Sequence, residues 1–118
     1  MDMKQIIFPK AYSAELLDCE PYSNIGDKEV LVKTEYVAVS AGTERANYIG
    51  EENISGVRTP EPIGFPRYVG YCGVGIVQEI GKNVTTVKPG DRVIIYFGLN
   101  REYNLIPEEH AIKVDELI

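Results

Sequence analysis

The side chains able to do chemistry are few and scattered. Two thiols, Cys19 and Cys72, lie too far apart for a metal knuckle and are too few for a disulfide framework, so they read as a reduced pair, Cys72 as a small packed side chain. His110 is the single histidine, the side chain whose ordinary titration falls near neutrality. It lies in the polar turn Pro107-Glu108-Glu109-His110 with no second donor set beside it, and reads as a solvated turn residue rather than a base. The glycine cluster Gly70-x-x-Gly73-x-Gly75 invites comparison with phosphate-cradling loops. Its gaps are in the wrong order for that fingerprint and it runs into a strand, so it reads as close backbone packing at a barrel corner.

The elements that must position these groups are mostly strands. Period-two alternation is clearest from Val30 to Ala38, with Val30, Val32, Tyr36 and Ala38 on one face and Lys33 and Glu35 on the other. Similar runs at 5–8, 75–80, 92–97, 103–106 and 111–114 are bounded by Gly, Pro, Asn or Asp, and six short strands of this kind predict a barrel or sandwich. Lys88-Pro89-Gly90-Asp91 and Asn24-Ile25-Gly26-Asp27 supply turn chemistry before two of them. One helix is expected, over Glu44–Ile49, capped by Thr43 and stopped by Gly50. The segment from Gly50 to Pro66 is long and lacks periodicity, which in a compact domain marks a functional or a mobile loop.

Composition narrows the class. A chain of 118 residues with 44% hydrophobic and 25% charged residues is one globular domain, without repeat or linker. The longest apolar run, Val93 to Phe97, is far short of a membrane span. A net charge of −6 without a basic cluster argues against nucleic acid or an anionic membrane as partner. Residues 1–9 have too short an apolar stretch for a signal peptide and read as an opening strand, so a cytoplasmic setting is expected.

The ordered set Glu29-Val30-Leu31-Val32-Lys33-Thr34, Val39-Ser40-Ala41-Gly42-Thr43-Glu44, Gly70-Tyr71-Cys72-Gly73-Val74-Gly75-Ile76-Val77 and Val87-Lys88-Pro89-Gly90-Asp91-Arg92-Val93 resembles the GroES-like catalytic domain of the medium-chain (zinc-type) alcohol dehydrogenase superfamily. The resemblance covers most of the chain from Glu29 onward. It implies a mainly β fold, a partly open β-barrel with one or two short helices. It also implies a Rossmann domain downstream that binds NAD or NADP, beyond residues 1–118, which read as a single GroES-like domain that binds no dinucleotide itself. Zinc members would carry a cysteine ligand where Ala41 stands and Gly-His-Glu where Gly70-Tyr71-Cys72 stands. One thiol does not replace a three-donor set, so no metal is expected. The match is nearer to the zinc-lacking branch, resembling bacteriochlorophyllide dehydrogenase-like proteins.

That resemblance also assigns candidate roles. Thr43 matches a hydroxyl that relays a proton from the substrate, with the helix cap as its alternative use. Tyr71 takes the place of a lost ligand, where a phenol can donate to a carbonyl or simply pack as core. Ser40, Ala41 and Gly42 would form the cleft wall beside the cofactor. Glu44 would have lost the metal it once oriented around, and Arg45 and Arg67 would flank the cleft, most simply as surface ion pairs. The function implied is the substrate-side domain of a zinc-independent NAD(P)-dependent oxidoreductase acting on a small molecule and silent alone. The alternative is a stand-alone GroES-like interaction or oligomerisation module. Without a cofactor domain to cover them, apolar residues such as Leu99, Leu105, Ile106, Leu117 and Ile118 are expected to lose their cover, some of them lying exposed, and to drive homo-oligomerisation or a swap of the C-terminal segment onto a neighbour.

Overall fold

The computed structural model describes residues 3–51 and 64–114. Strands β1 (Met3–Phe8), β2 (Glu15–Cys19) and β3 (Glu29–Ala38) precede the helix α1 (Ala41–Ile49); β4 (Arg67–Tyr68), β5 (Cys72–Ile80), β6 (Arg92–Tyr96), β7 (Tyr103–Pro107) and β8 (Ala111–Lys113) follow it, with a 3-10 turn at Glu108–His110. They form a three-stranded sheet β2-β1-β4 and a five-stranded sheet β7-β3-β5-β6-β8, in which every pairing is antiparallel. The fold is mainly β, as the turn-bounded apolar runs predict, and the larger sheet curls into a partly open barrel.

Alternation builds the core. In β6, Val93 and Ile95 point inward while Arg92, Ile94 and Tyr96 stay outside. Val30, Val32, Val77, Val93, Ile95 and Ile106 lie at its centre. The inward places left by Gly73 and Gly75 are taken by the neighbouring backbone: a Cβ at Gly73 would sit 2.6 Å from the Tyr36 carbonyl oxygen, and one at Gly75 would strike the carbonyl of Lys33. The glycine cluster is therefore close packing between β3 and β5, and it lies where β3 is irregular, with register shifts between Leu31 and Val32 and between Thr34 and Tyr36.

That second irregularity corrects the expectation for β3. Beyond it the strand leaves the core, so Tyr36 is 75% exposed instead of sharing the buried face of Val30 and Val32. β2 and β4 are strands the alternation does not announce, since β2 is largely exposed and β4 has two residues. The Lys88–Asp91 turn forms as read, with Gly90 at φ 93 and Asp91 N donating to Lys88 O at 3.1 Å. The turn before β3 closes later than expected, Glu29 N donating to Gly26 O at 3.1 Å.

The helix also begins earlier than read. Ser40, not Thr43, is its N-terminal cap residue, and Thr43 lies within the first turn. Gly50 is the stop, at φ 89 with its N–H donating to Ala46 O at 3.1 Å, as its freedom from a Cβ allows. Of the residues expected to lose their cover near the C-terminal strands, Ile106 is instead a core residue, facing inward opposite Val30, while Leu99 and Leu105 are half-buried. Leu117, Ile118 and most of the 50–66 loop lie outside the described residues. Among the described residues no helix is long and apolar enough to cross a membrane.

Candidate functional site

β3 and β5 end side by side, Ala38 opposite Cys72, and this brings the run after β3 to the run before β5. On the first wall stand Ser40, Ala41, Gly42 and Thr43. Ser40 accepts the Glu44 N–H on its carbonyl at 2.9 Å, and its Oγ donates to Thr43 Oγ1 at 3.4 Å, so the two hydroxyls face one another across the first helical turn. Ala41 and Gly42 are exposed, with open space where a Gly42 Cβ would stand. With the cap position held by Ser40, the hydroxyl of Thr43 is released from the capping use. Burial pushes the carboxyl of Glu44, the next residue, above its ordinary titration range.

The second wall is aromatic. Tyr71 is 45% exposed, and its hydroxyl has no hydrogen-bond partner among the described residues. Its ring meets Phe97 edge-on with centroids 6.5 Å apart, Phe97 lies against Tyr96 at 4.2 Å, and His110 stands edge-on to Tyr96 at 5.5 Å. Tyr71 is thus not a core phenol with a satisfied hydroxyl. Nor is His110 the solvated turn residue expected, because it is half-buried beside these rings. Phe97 and its neighbours were missed by sequence reasoning, and the available signal was the aromatic pair closing β6 just before Gly98.

Phe97 is 60% exposed at φ 57, a left-handed conformation that a bulky side chain adopts only under constraint. The constraint is visible on the following residues. Gly98 N donates to Tyr71 O at 3.1 Å and Asn100 N to Val69 O at 2.8 Å. Asn104, itself buried, accepts Leu99 N–H on its Oδ1 at 2.8 Å and donates from Nδ2 to Leu99 O at 3.1 Å and Thr34 Oγ1 at 3.0 Å. A shallow depression lies beneath, lined by Val37, Tyr71, Cys72, Leu99, Asn100 and Asn104. The structure brings Tyr71 and Cys72 together there. Thr43 and Tyr71 stand on separate walls, and no hydrogen bond joins them among the described residues.

The arginines part company. Arg45 is exposed, whereas Arg67 is 4% exposed and so does not lie on the surface: among its contacts, its Nε donates to Gly64 O at 3.2 Å and an NH group to Asn47 Oδ1 at 3.3 Å, under cation–π contact with Phe65.

The site does not fit a catalytic zinc. Ala41 offers no donor, Tyr71 is a poor one, and among the described residues no three His, Cys, Asp or Glu side chains converge. Nor does the glycine cluster cradle a dinucleotide phosphate, since its inward space is filled by β3 backbone.

A curled, mainly β barrel with one short helix after its long strand is the fold of a GroES-like domain. The profile of the family described as "Alcohol dehydrogenase GroES-like domain" matches residues 26–116, and the chain belongs to that family. It is 41% identical over 69 residues to S-(hydroxymethyl)glutathione dehydrogenase of Saccharomyces cerevisiae, covering 58% of this chain and 16% of that protein. Among solved structures it is similar to a quinone oxidoreductase of Pseudomonas syringae pv. Tomato DC3000, at TM-score 0.75 and 25% identity over 98% of this chain and 34% of that one. Escherichia coli quinone oxidoreductase complexed with NADPH shares the fold at TM-score 0.76 and 19% identity, covering 98% of this chain and 34% of that one. The chain therefore spans about a sixth of the curated relative and about a third of these structures.

Proposed function

We infer that these residues form the substrate-side domain of a zinc-independent, NAD(P)-dependent oxidoreductase that reduces or oxidises a small carbonyl, alcohol or quinone. The observation that carries the reading is an exposed phenol: Tyr71 stands just before β5, its hydroxyl without a hydrogen-bond partner among the described residues and its ring braced by Phe97. The nicotinamide, held by a second domain, supplies the hydride. Tyr71 donates its O–H proton to the carbonyl oxygen as hydride reaches the carbon and is reprotonated from solvent; for a quinone, whose reduction leaves a second oxygen to protonate, Thr43, hydrogen-bonded to Ser40, relays that proton. Ser40, Ala41 and Gly42 leave room for a flat ring because two of the three carry little or no side chain. Phe97 and Tyr96 add apolar, aromatic surface for a conjugated substrate.

This assignment makes the domain silent when expressed alone, since it gives the hydride donor and its dinucleotide site to a second domain. Elemental analysis of the purified full-length protein tests the metal side of the reading. Substoichiometric zinc, unchanged by Cys72→Ser, is the expected result; one zinc per chain, lost in that variant, contradicts it. A second reading, an interaction module without catalysis, draws on the exposed Tyr36, Val37, Val39 and Phe97 at the same end of the sheet. The two part on activity: an interaction module oxidises no NAD(P)H in any context.

A further inference from the structure

The helix that carries Thr43 has no buried residue, and at nine residues it is too short to be stable by itself. Its place is set by a few side-chain contacts. At its C-terminal end Tyr48 does this work, donating its hydroxyl to Tyr12 O at 3.0 Å, accepting Tyr12 N–H at 2.7 Å and meeting Phe8 edge-on. Nearer the functional end the contact is Asn47, whose Nδ2 donates to the Thr43 carbonyl at 3.1 Å while its Oδ1 accepts from Arg67 at 3.3 Å.

We propose that Arg67 is a positioning residue for Thr43, acting through the Asn47 amide that joins the buried guanidinium to the Thr43 carbonyl. The inference rests on the reading of Thr43 as a proton-moving hydroxyl. Its physical ground is the cost of the arrangement. Arg67 lies in β4 opposite Phe8 of β1, and burying a guanidinium there is expensive where an apolar side chain would pack at less cost. A buried charge held by directional bonds fixes geometry more than it adds stability. Here the bonds run to Gly64 O before β4, with Phe65 against the guanidinium face 4.6 Å from its centroid, and to the helix at Asn47. The amide then passes that fixed point to the turn holding Ser40 Oγ and Thr43 Oγ1. Asparagine is suited to the step, accepting on one atom and donating from the other. Aspartate would keep the arginine partner and lose the donor.

That asymmetry gives the test. Asn47→Asp and Arg67→Lys are made in the full-length protein and followed in two ways. The first is the threonine methyl resonance of Thr43 in 13C-labelled protein, with folding checked by thermal melting. The second is steady-state NADPH oxidation with 1,4-benzoquinone as the probe. Asn47→Asp is expected to keep the melting temperature at or above that of the unsubstituted protein, to shift the Thr43 methyl, and to lower kcat about tenfold while KM for benzoquinone stays within about twofold. Arg67→Lys, which cannot span Gly64 and Asn47 with a planar fork, shifts the same methyl in the same direction. A folded Asn47→Asp protein with an unmoved Thr43 methyl overturns the proposal, and Arg67→Lys answers the same question if Asn47→Asp fails to fold. Absence of NADPH oxidation in the unsubstituted protein overturns the oxidoreductase reading instead, while the methyl shift still decides the positioning role.

Discussion

One tyrosine and two glutamates show how single residues divide between chemistry and stability. Tyr71→Phe removes one exposed hydroxyl that has no hydrogen-bond partner among the described residues and leaves the edge-on contact with Phe97, so the melting temperature of the full-length protein should hold while, on the proposed reading of Tyr71 as a general acid, turnover falls on the order of 10²-fold. Equal activity of the two proteins would remove Tyr71 from the mechanism. Glu108 is a stability residue. Its Oε2 accepts the Thr86 hydroxyl at 2.7 Å and the N–H groups of Thr85 and Thr86, both at 2.8 Å, and Lys28 stands 3.7 Å from its other oxygen; these donors pull its pKa from 4.5 down to about 2. Because the folded state favours the carboxylate, its contribution is present above pH 4.5 and is lost as pH falls through about 2. Glu44 has the opposite sign: burial raises its pKa, so its contribution is greatest below 4.5 and is lost as pH rises through the raised value. Denaturant titrations between pH 5 and 2 should show a steep acid limb that Glu108→Gln flattens; an unchanged limb would place the acid sensitivity elsewhere.

At the scale of elements, the pairing of β3 with β5 sets the cleft. Gly75→Ala would drive a methyl group into the Lys33 carbonyl, backbone that cannot step aside, and should cost at least about 1–3 kcal/mol by chemical denaturation; a neutral substitution would show that β3 is free to shift. Much of this architecture was legible because apolar alternation and turn residues are local signals: Val93 and Ile95 in β6, Gly90 before it and Gly50 after α1 all occupy the places their types predict. What escaped was decided by tertiary contacts. β2 forms by pairing with β1 while leaving Leu16 and Leu17 outside, so it has no buried face to announce it. The irregularity at Thr34–Tyr36 breaks the phase of a pattern that reads as continuous. The helix start moved from Thr43 to Ser40 because both are capping types, and between them Ala41, the strongest helix former, is offset by Gly42, one of the weakest, so local propensity does not arbitrate. In the site, Tyr71 was visible from the motif around Gly70, whereas the buried role of Arg67 depends on a strand of two residues and an asparagine twenty positions away.

For the whole molecule, a net charge of −6 is combined with exposed apolar and aromatic residues, among them Val37, Val39, Tyr71 and Phe97 near the end of the sheet where β3 meets β5. Apolar ends of this kind are covered by another domain or another chain. We propose that residues 1–118 expressed alone self-associate through this end, and sedimentation at micromolar concentration should show dimers or larger species that Phe97→Asp dissociates; a monomer unaffected by that substitution would contradict it. The central claim is that a hydroxyl-lined cleft takes the place of a metal in a nicotinamide-dependent oxidoreductase. It is tested most directly by NAD(P)H oxidation in the full-length protein, assayed with a quinone or aldehyde acceptor before and after exhaustive treatment with a strong zinc chelator. The account predicts turnover that survives chelation in full; turnover abolished by the chelator and restored by added zinc would contradict it.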